Sequence, residues 1–313
     1  TDHMWQITGH ARAVEMLRHG LESGRPAHAY LITGQEHIGK MKLALTLAQA
    51  LNCTGDNPPC DACTACAKIA AGGHADVRII GLAADEEKEK KSISTEQVQD
   101  MQHDANLPPF EGRHKVFIID NADLLSLNAA NRLLKTLEEP VPNVTFILLT
   151  VNETLLPVTV VSRCQRLELM PVNAEDIAAA LVERGMETEK ADLLARLSHG
   201  CPGWAFTAAE DEGLLASRNE AMERLLRIIR GDTVARFTWV AQVAARFSQN
   251  RKAVYSLLDT WRDYWRDLML VKLGCRAMIT HIDREEEITA LAANFDLATI
   301  RDCIRDIEAA ARR

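Results

Sequence analysis

The segment Gly34-Gln35-Glu36-His37-Ile38-Gly39-Lys40-Met41 lies between an apolar run and an amphipathic one. Before it, residues 28–33 (His-Ala-Tyr-Leu-Ile-Thr) fit a short buried parallel strand. After it, Met41 to Leu51 carries apolar side chains at helical spacing. A strand, a glycine loop ending in Gly-Lys and a helix form a unit with few structural solutions. The glycines let successive backbone N–H groups converge on phosphate oxygens, which the lysine then reaches. Gly34, Gly39 and Lys40 are therefore the candidate nucleotide-binding residues.

The remaining pattern supports the same class. Val77 to Ile80, Lys115 to Asp120 and Thr145 to Thr150 read as further buried strands, and Leu124 to Glu139 reads as a helix stopped by Pro140. Ser94 and Gln97 form a capping-box pair, with Ile93 and Val98 at the staple positions. Strands alternating with helices predict an α/β core on a parallel sheet covered on both faces. Beyond Pro171 the strand signal ends. Residues 174–210 read as short helices broken at Gly200-Cys201-Pro202-Gly203, and residues 214–313 as helix nearly throughout. The expected organisation is a core over 1–171, a small helical segment over 172–212 and an all-α region over 213–313.

Two positions argue against hydrolysis at the loop. A Ser or Thr after the lysine would hold Mg²⁺, but Met41 has no hydroxyl. Asp120 is placed to serve a metal shell at the end of its strand, yet the following residue, where an acid would activate water, is Asn121. A neutral amide cannot act as a general base. Glu36 adds a carboxylate that would repel a polyphosphate.

Four cysteines, Cys53, Cys60, Cys63 and Cys66, follow the loop helix with spacing C-x6-C-x2-C-x2-C. Four thiolates fill a tetrahedral shell with no open position, which predicts a structural zinc knuckle. An iron–sulfur cluster is the rival, but its usual continuation is missing, since Ala67-Lys68 follow Cys66. His74 reads as an ordinary loop residue beside a shell already full. Cys164, Cys201, Cys275 and Cys303 read as isolated small core residues.

Net charge is −8, which argues against a free-standing nucleic-acid binder held by bulk electrostatics. No apolar run approaches the roughly 18 residues of a membrane span. No basic region leads into an apolar stretch at the start, so the chain is expected in the cytoplasm. Thr1 to Met4 read as an expression remnant, and Asp85 to Lys91 as a solvated charge run. The aromatic stripe Trp261, Tyr264, Trp265, Leu268 and Met269 reads as a buried helix face, because Asp263 and Asp267 offset Arg262 and Arg266.

Three stretches carry a family resemblance: residues 24–31 (Gly-Arg-Pro-Ala-His-Ala-Tyr-Leu), residues 131–140 (Asn-Arg-Leu-Leu-Lys-Thr-Leu-Glu-Glu-Pro) and residues 155–164, which end in Ser162-Arg163-Cys164. They resemble the bacterial clamp-loader subunits of DNA polymerase III, members of the AAA+ class. The resemblance implies an AAA+ core with a zinc module, a helical lid and a helical collar. It makes Arg163 an arginine finger acting in trans on a neighbour's ATP, presented by a helix that Ser162 caps. It places Thr150 and Asn152 at a sensor position. It supplies partners: motor subunits of the gamma/tau type, a clamp-opening delta subunit, the sliding clamp and primer–template DNA, which Arg132 and Lys135 could face. The departures from the family pattern are His37 for a loop glycine, Met41, Asn121, and Trp204 for the lid's sensor arginine. Such losses mark the non-hydrolysing subunit of the assembly, with zinc as its metal and binding of ATP weak or absent. The rivals are an ATP-hydrolysing motor subunit and a stand-alone P-loop enzyme.

Overall fold

The computed structural model describes residues 5–82, 92–247 and 250–312. The segments assigned to an expression remnant and to the charge run lie outside the described residues. The chain divides into two compact units, one running to Asn173 and including Cys201–Gly203, the other holding Ala174–Gly200 and the residues from Trp204 onward.

The first unit is built on β1 (Ala29–Thr33), β2 (Val77–Ile80), β3 (Lys115–Ile119), β4 (Val144–Thr150) and β5 (Gln165–Glu168). They form one parallel sheet in the order β2-β3-β4-β1-β5. Every residue of β3 and β4 is buried, as expected of apolar strands covered on both faces. Phe117 and Phe146 pair in register on adjacent strands and stack at a centroid distance of 5.4 Å. Burying each such ring contributes about 1.5–3 kcal/mol. Strand β5 was not predicted. Its Gln-Arg-Leu-Glu sequence buries Leu167 alone, because it forms the sheet edge.

Around the sheet lie α1 (Ala11–Glu22), α2 (Lys40–Asn52), α3 (Thr64–Ala70), α4 (Thr95–Ala105), α5 (Leu127–Glu138) and α6 (Val158–Val161). The capping box at Ser94 and Gln97 forms as expected, with Ile93 and Val98 fully buried beside it. Helix α5 starts three residues later than its sequence pattern suggests. Leu124 instead closes a 3₁₀ turn over Ala122–Leu124, and Ser126 caps α5 by accepting from the Ala129 N–H. Ser162 differs from expectation. It follows α6 rather than preceding it, and its hydroxyl donates to the Thr159 carbonyl, so it does not cap the start of that helix.

The second unit is helical: α7 (Ala174–Glu183), α8 (Thr188–Leu197), α9 (Pro202–Glu210, whose first residues belong to the other unit), α10 (Glu212–Arg230), α11 (Thr233–Phe247), α12 (Arg251–Lys272), α13 (Glu285–Ala292) and α14 (Leu297–Ala311). The aromatic stripe of α12 is its core, with Trp261, Tyr264, Trp265 and Leu268 packed against Met222, Leu225, Ile288 and Ile300. The indole N–H of Trp261 donates to the Ala221 carbonyl, 3.1 Å away. Asp267 is fully buried and accepts from the backbone N–H groups of Thr280 and His281. The stripe therefore faces inward and offers no stacking platform. Among the described residues, no helix is long and apolar enough to cross a membrane.

Candidate functional site

Gly34 follows β1 at the carboxyl end of the sheet, between β4 and β5, where α/β folds expose loops to ligands. A Cβ at Gly34 would stand 2.8 Å from the Leu169 carbonyl oxygen, so backbone crowding requires glycine there. The loop is anchored from below by Ile38, which is fully buried and whose carbonyl lies 3.0 Å from His10 Nε2. His37 occupies the left-handed region at φ 58°, a conformation that favours glycine. Its carbonyl is turned to accept from the Gly203 N–H at 2.9 Å. A Cβ on Gly203 would approach that oxygen to 2.6 Å, so the contact admits only glycine. The Cys201 thiol adds a contact to Gln35 Oε1 at 3.5 Å. The departure at His37 has thus kept the turn and bound it to residues 201–203.

Lys40 turns back on the same loop. Its ammonium donates to the carbonyls of Gly34 at 2.8 Å and Gln35 at 2.7 Å. Burial lowers its pKa, an effect opposed by the negative charges of Asp120, Glu36 and Asp123. The two carbonyls take two of the three donors of the ammonium.

At the end of β3, an Asp120 carboxylate oxygen accepts from the Asn121 N–H at 3.0 Å, and Asn121 itself stands at φ 52°. Sequence reasoning missed Asp123. Its Oδ1 accepts from the Thr150 hydroxyl at 2.6 Å, and Thr150 Oγ1 in turn accepts from the Asn152 N–H at 3.0 Å. The second acid of Asp120-Asn121-Ala122-Asp123 was the available signal. Thr150 is fully buried and already donates and accepts, so its hydroxyl is tied to the neighbouring strand end. Met41 sits in the first turn of α2 and presents a thioether, which is a poor ligand for Mg²⁺.

Arg163 follows α6 and is about one-third exposed. Its Nη1 donates to the Thr159 carbonyl at 2.8 Å, and its Nη2 to Glu138 Oε1 at 2.6 Å. Neither partner belongs to the phosphate loop. Leu155 and Val158, on the segment leading into Arg163, are 63% and 81% exposed. Cys164 packs against the sheet core, and burial pushes its thiol up to about 12, so it is not a nucleophile.

The four cysteines of the knuckle converge, with their sulfur atoms all within 4.8 Å of one another and no disulfide among them. Four sulfurs about 2.3 Å from one ion would stand about 3.8 Å apart, a small contraction from this spacing. The surrounding backbone suits thiolates. The N–H groups of Gly55, Cys63 and Cys66 point at the sulfurs of Cys53, Cys60 and Cys63, at 3.4, 3.3 and 3.5 Å. Hydrogen bonds from the backbone of Thr54 and Cys66 bring Cys63 down to about 5. Burial raises Cys53 and takes Cys66 to about 12, so those two need a cation beside them to ionise. A Cβ at Gly55 would press to 3.1 Å from Cys60 Sγ, leaving the wall of the cluster to glycine. Gln49 of α2 ties the knuckle down by donating to the Cys66 carbonyl at 3.0 Å. The donor set fits a structural metal ion. His74 lies outside the set; it is buried, and its Nδ1 accepts from the Asp76 N–H.

Comparison with known proteins gives a consistent neighbourhood. Residues 9–173 match the family model described as DNA polymerase III, delta subunit. The DNA polymerase III subunit delta' of Bacillus subtilis is 28% identical over 278 residues, covering 88% of this chain and 82% of that protein. The DNA polymerase III subunit tau of Salmonella typhimurium is 37% identical over 312 residues, and that of Escherichia coli 29%. Both alignments cover 96% of this chain, which spans less than half of either tau protein, at 47% and 46%. Among solved structures, a DNA polymerase III gamma subunit-related protein from Thermotoga maritima aligns with a TM-score of 0.46 at 19% identity, over 96% of this chain and 98% of that one.

Proposed function

This chain belongs to the clamp-loader family of DNA polymerase III, and from that premise we propose that it is the delta-prime-type, non-hydrolysing subunit of the loader. In this role it is a stator. It contributes Arg163 to the ATP site of a neighbouring gamma/tau-type motor subunit, works beside a delta subunit, and helps place the sliding clamp on primed DNA in the cytoplasm. Its layout is an AAA+ core over 1–171, a lid over 172–212 and a collar over 213–313. The ion held by Cys53, Cys60, Cys63 and Cys66 is zinc, in a closed structural site.

The observation that carries this reading is the state of the phosphate loop. Lys40 is engaged by Gly34 and Gln35, in a site with Met41 for the metal hydroxyl and Asn121 for the base. Arg163 supports it as a partly exposed guanidinium that follows a segment with exposed Leu155 and Val158, arginine being a residue enriched at protein interfaces. Its planar fork suits phosphate oxygens. The test is ATP turnover by the isolated chain and by a complex reconstituted with its motor subunit. The isolated chain is expected to show none, and Arg163→Ala is expected to depress turnover of the complex. Unchanged turnover in that variant would defeat the finger assignment.

A second reading, an ATP-hydrolysing motor subunit, draws on the 37% identity to a tau subunit. It predicts Mg²⁺-dependent turnover by the chain alone, abolished by Lys40→Ala.

A further inference from the structure

Two segments far apart in the sequence, residues 131–140 and residues 155–164, meet at one ion pair, Glu138 with Arg163. Glu138 is the last residue of α5, where the exposed carbonyls of the helix end disfavour a carboxylate unless a cation compensates it. Arg163 supplies that cation. The two backbones are held by one core, since Leu133 and Leu137 of α5 and Val160 of α6 are buried in the same cluster. The pair is thus set by rigid elements while its side chains stay accessible, Glu138 half exposed and Arg163 about one-third.

A long arginine side chain has many rotamers, and a finger must arrive in one of them. Here Glu138 Oε1 holds Nη2 and the Thr159 carbonyl holds Nη1. A guanidinium has five N–H donors. Two are committed among the described residues, and the geometry allows the others to meet a phosphate oxygen on a neighbouring subunit. We propose that Glu138 is a positioning residue for Arg163, fixing the plane of the guanidinium before the neighbour's nucleotide meets it. This rests on the reading of Arg163 as a finger in trans. Glu138 touches neither nucleotide nor metal in this role and acts through the arginine alone.

The experiment is steady-state ATP hydrolysis by the complex reconstituted with its motor subunit, using Glu138→Ala, Glu138→Gln, Arg163→Ala and the double variant Glu138→Ala/Arg163→Ala. An exposed ion pair contributes little to folding, so thermal unfolding and assembly on gel filtration should match the parent protein. Glu138→Ala is expected to lower kcat about 10-fold, the scale of lost orientation, with KM for ATP unchanged. Glu138→Gln keeps an acceptor for Nη2 and should recover most of that loss. The double variant should equal Arg163→Ala alone, because the glutamate has nothing left to orient. Parental turnover in Glu138→Ala, alongside a collapse in Arg163→Ala, overturns the positioning role and leaves the finger standing. An equal further loss on adding Glu138→Ala to Arg163→Ala also overturns it, since the glutamate would then act by another route. Full turnover in Arg163→Ala removes the finger, and this inference with it.

Discussion

Lys40 and Arg163 are both partly buried cations of the same α/β unit, yet one donates into its own loop and the other reaches a carboxylate on a different helix. Lys40 donates to two carbonyls within six residues of itself, and the nearby polar contacts of His37 with Gly203 and of Asp123 with Thr150 are also made within the protein. Arg163 is held by a carbonyl and a carboxylate, and exposed apolar side chains lie in the segment before it. The difference is one of partners: Lys40 is satisfied by neutral carbonyls of its own loop, Arg163 by a carbonyl of the preceding turn and a carboxylate of another helix. An ammonium has three donors and a guanidinium five, so two internal partners leave more of Arg163 than of Lys40 for an external acceptor.

The contrast can be broken most directly at Arg163. Arg163→Ala in the reconstituted complex should reduce turnover by about 10³-fold or more, near 4 kcal/mol of barrier, with assembly intact on gel filtration. A change of less than threefold would place both cations on the same footing. Next in size is the metal knuckle, which tests whether the closed side of the unit includes the cysteine insertion. Cys63→Ser should release one equivalent of zinc by metal analysis and raise amide exchange in residues 53–70 while the sheet stays protected. Purified parent protein that is fully protected yet free of metal would refute the site.

A smaller effect is expected at Thr150. Thr150→Val removes the hydroxyl that Asp123 accepts and should cost about 1 kcal/mol in chemical denaturation. A neutral result would mean that this bond does not help close the pocket. The smallest concerns Lys40 itself. Lys40→Ala should leave ATP turnover of the isolated chain at background and shift stability by roughly 1 kcal/mol through two lost hydrogen bonds that water partly replaces. Micromolar Mg²⁺-dependent ATP affinity in the parent, lost in this variant, would reverse the contrast by showing that the lysine leaves its carbonyls for a phosphate.

Much of the unit was legible before any coordinates. The apolar strands, the capping box at Ser94 and the closing of the four cysteines on one point all follow from periodicity, cap chemistry or spacing. What was missed has specific causes. Strand β5 carries a single buried side chain, so no run of apolar residues announces it. Ser162 was assigned to the start of a helix because serine favours that position, whereas local packing placed it at the end. Asp123 was passed over because its neighbour Asp120 met the expected pattern first.

From its sequence alone, this protein has its element types, its family and the absence of a hydroxyl at Met41 and of an acid at Asn121, because those are properties of individual residues and local periods. Only the tertiary structure decided which groups meet. Glu138 and Arg163 are 25 residues apart, Asp123 and Thr150 27, and Gln35 and Cys201 166. The hydrophobic pattern of a segment says which face is buried and is silent about what lies across from its polar atoms. Those partners are set when the sheet and its helices close around one core.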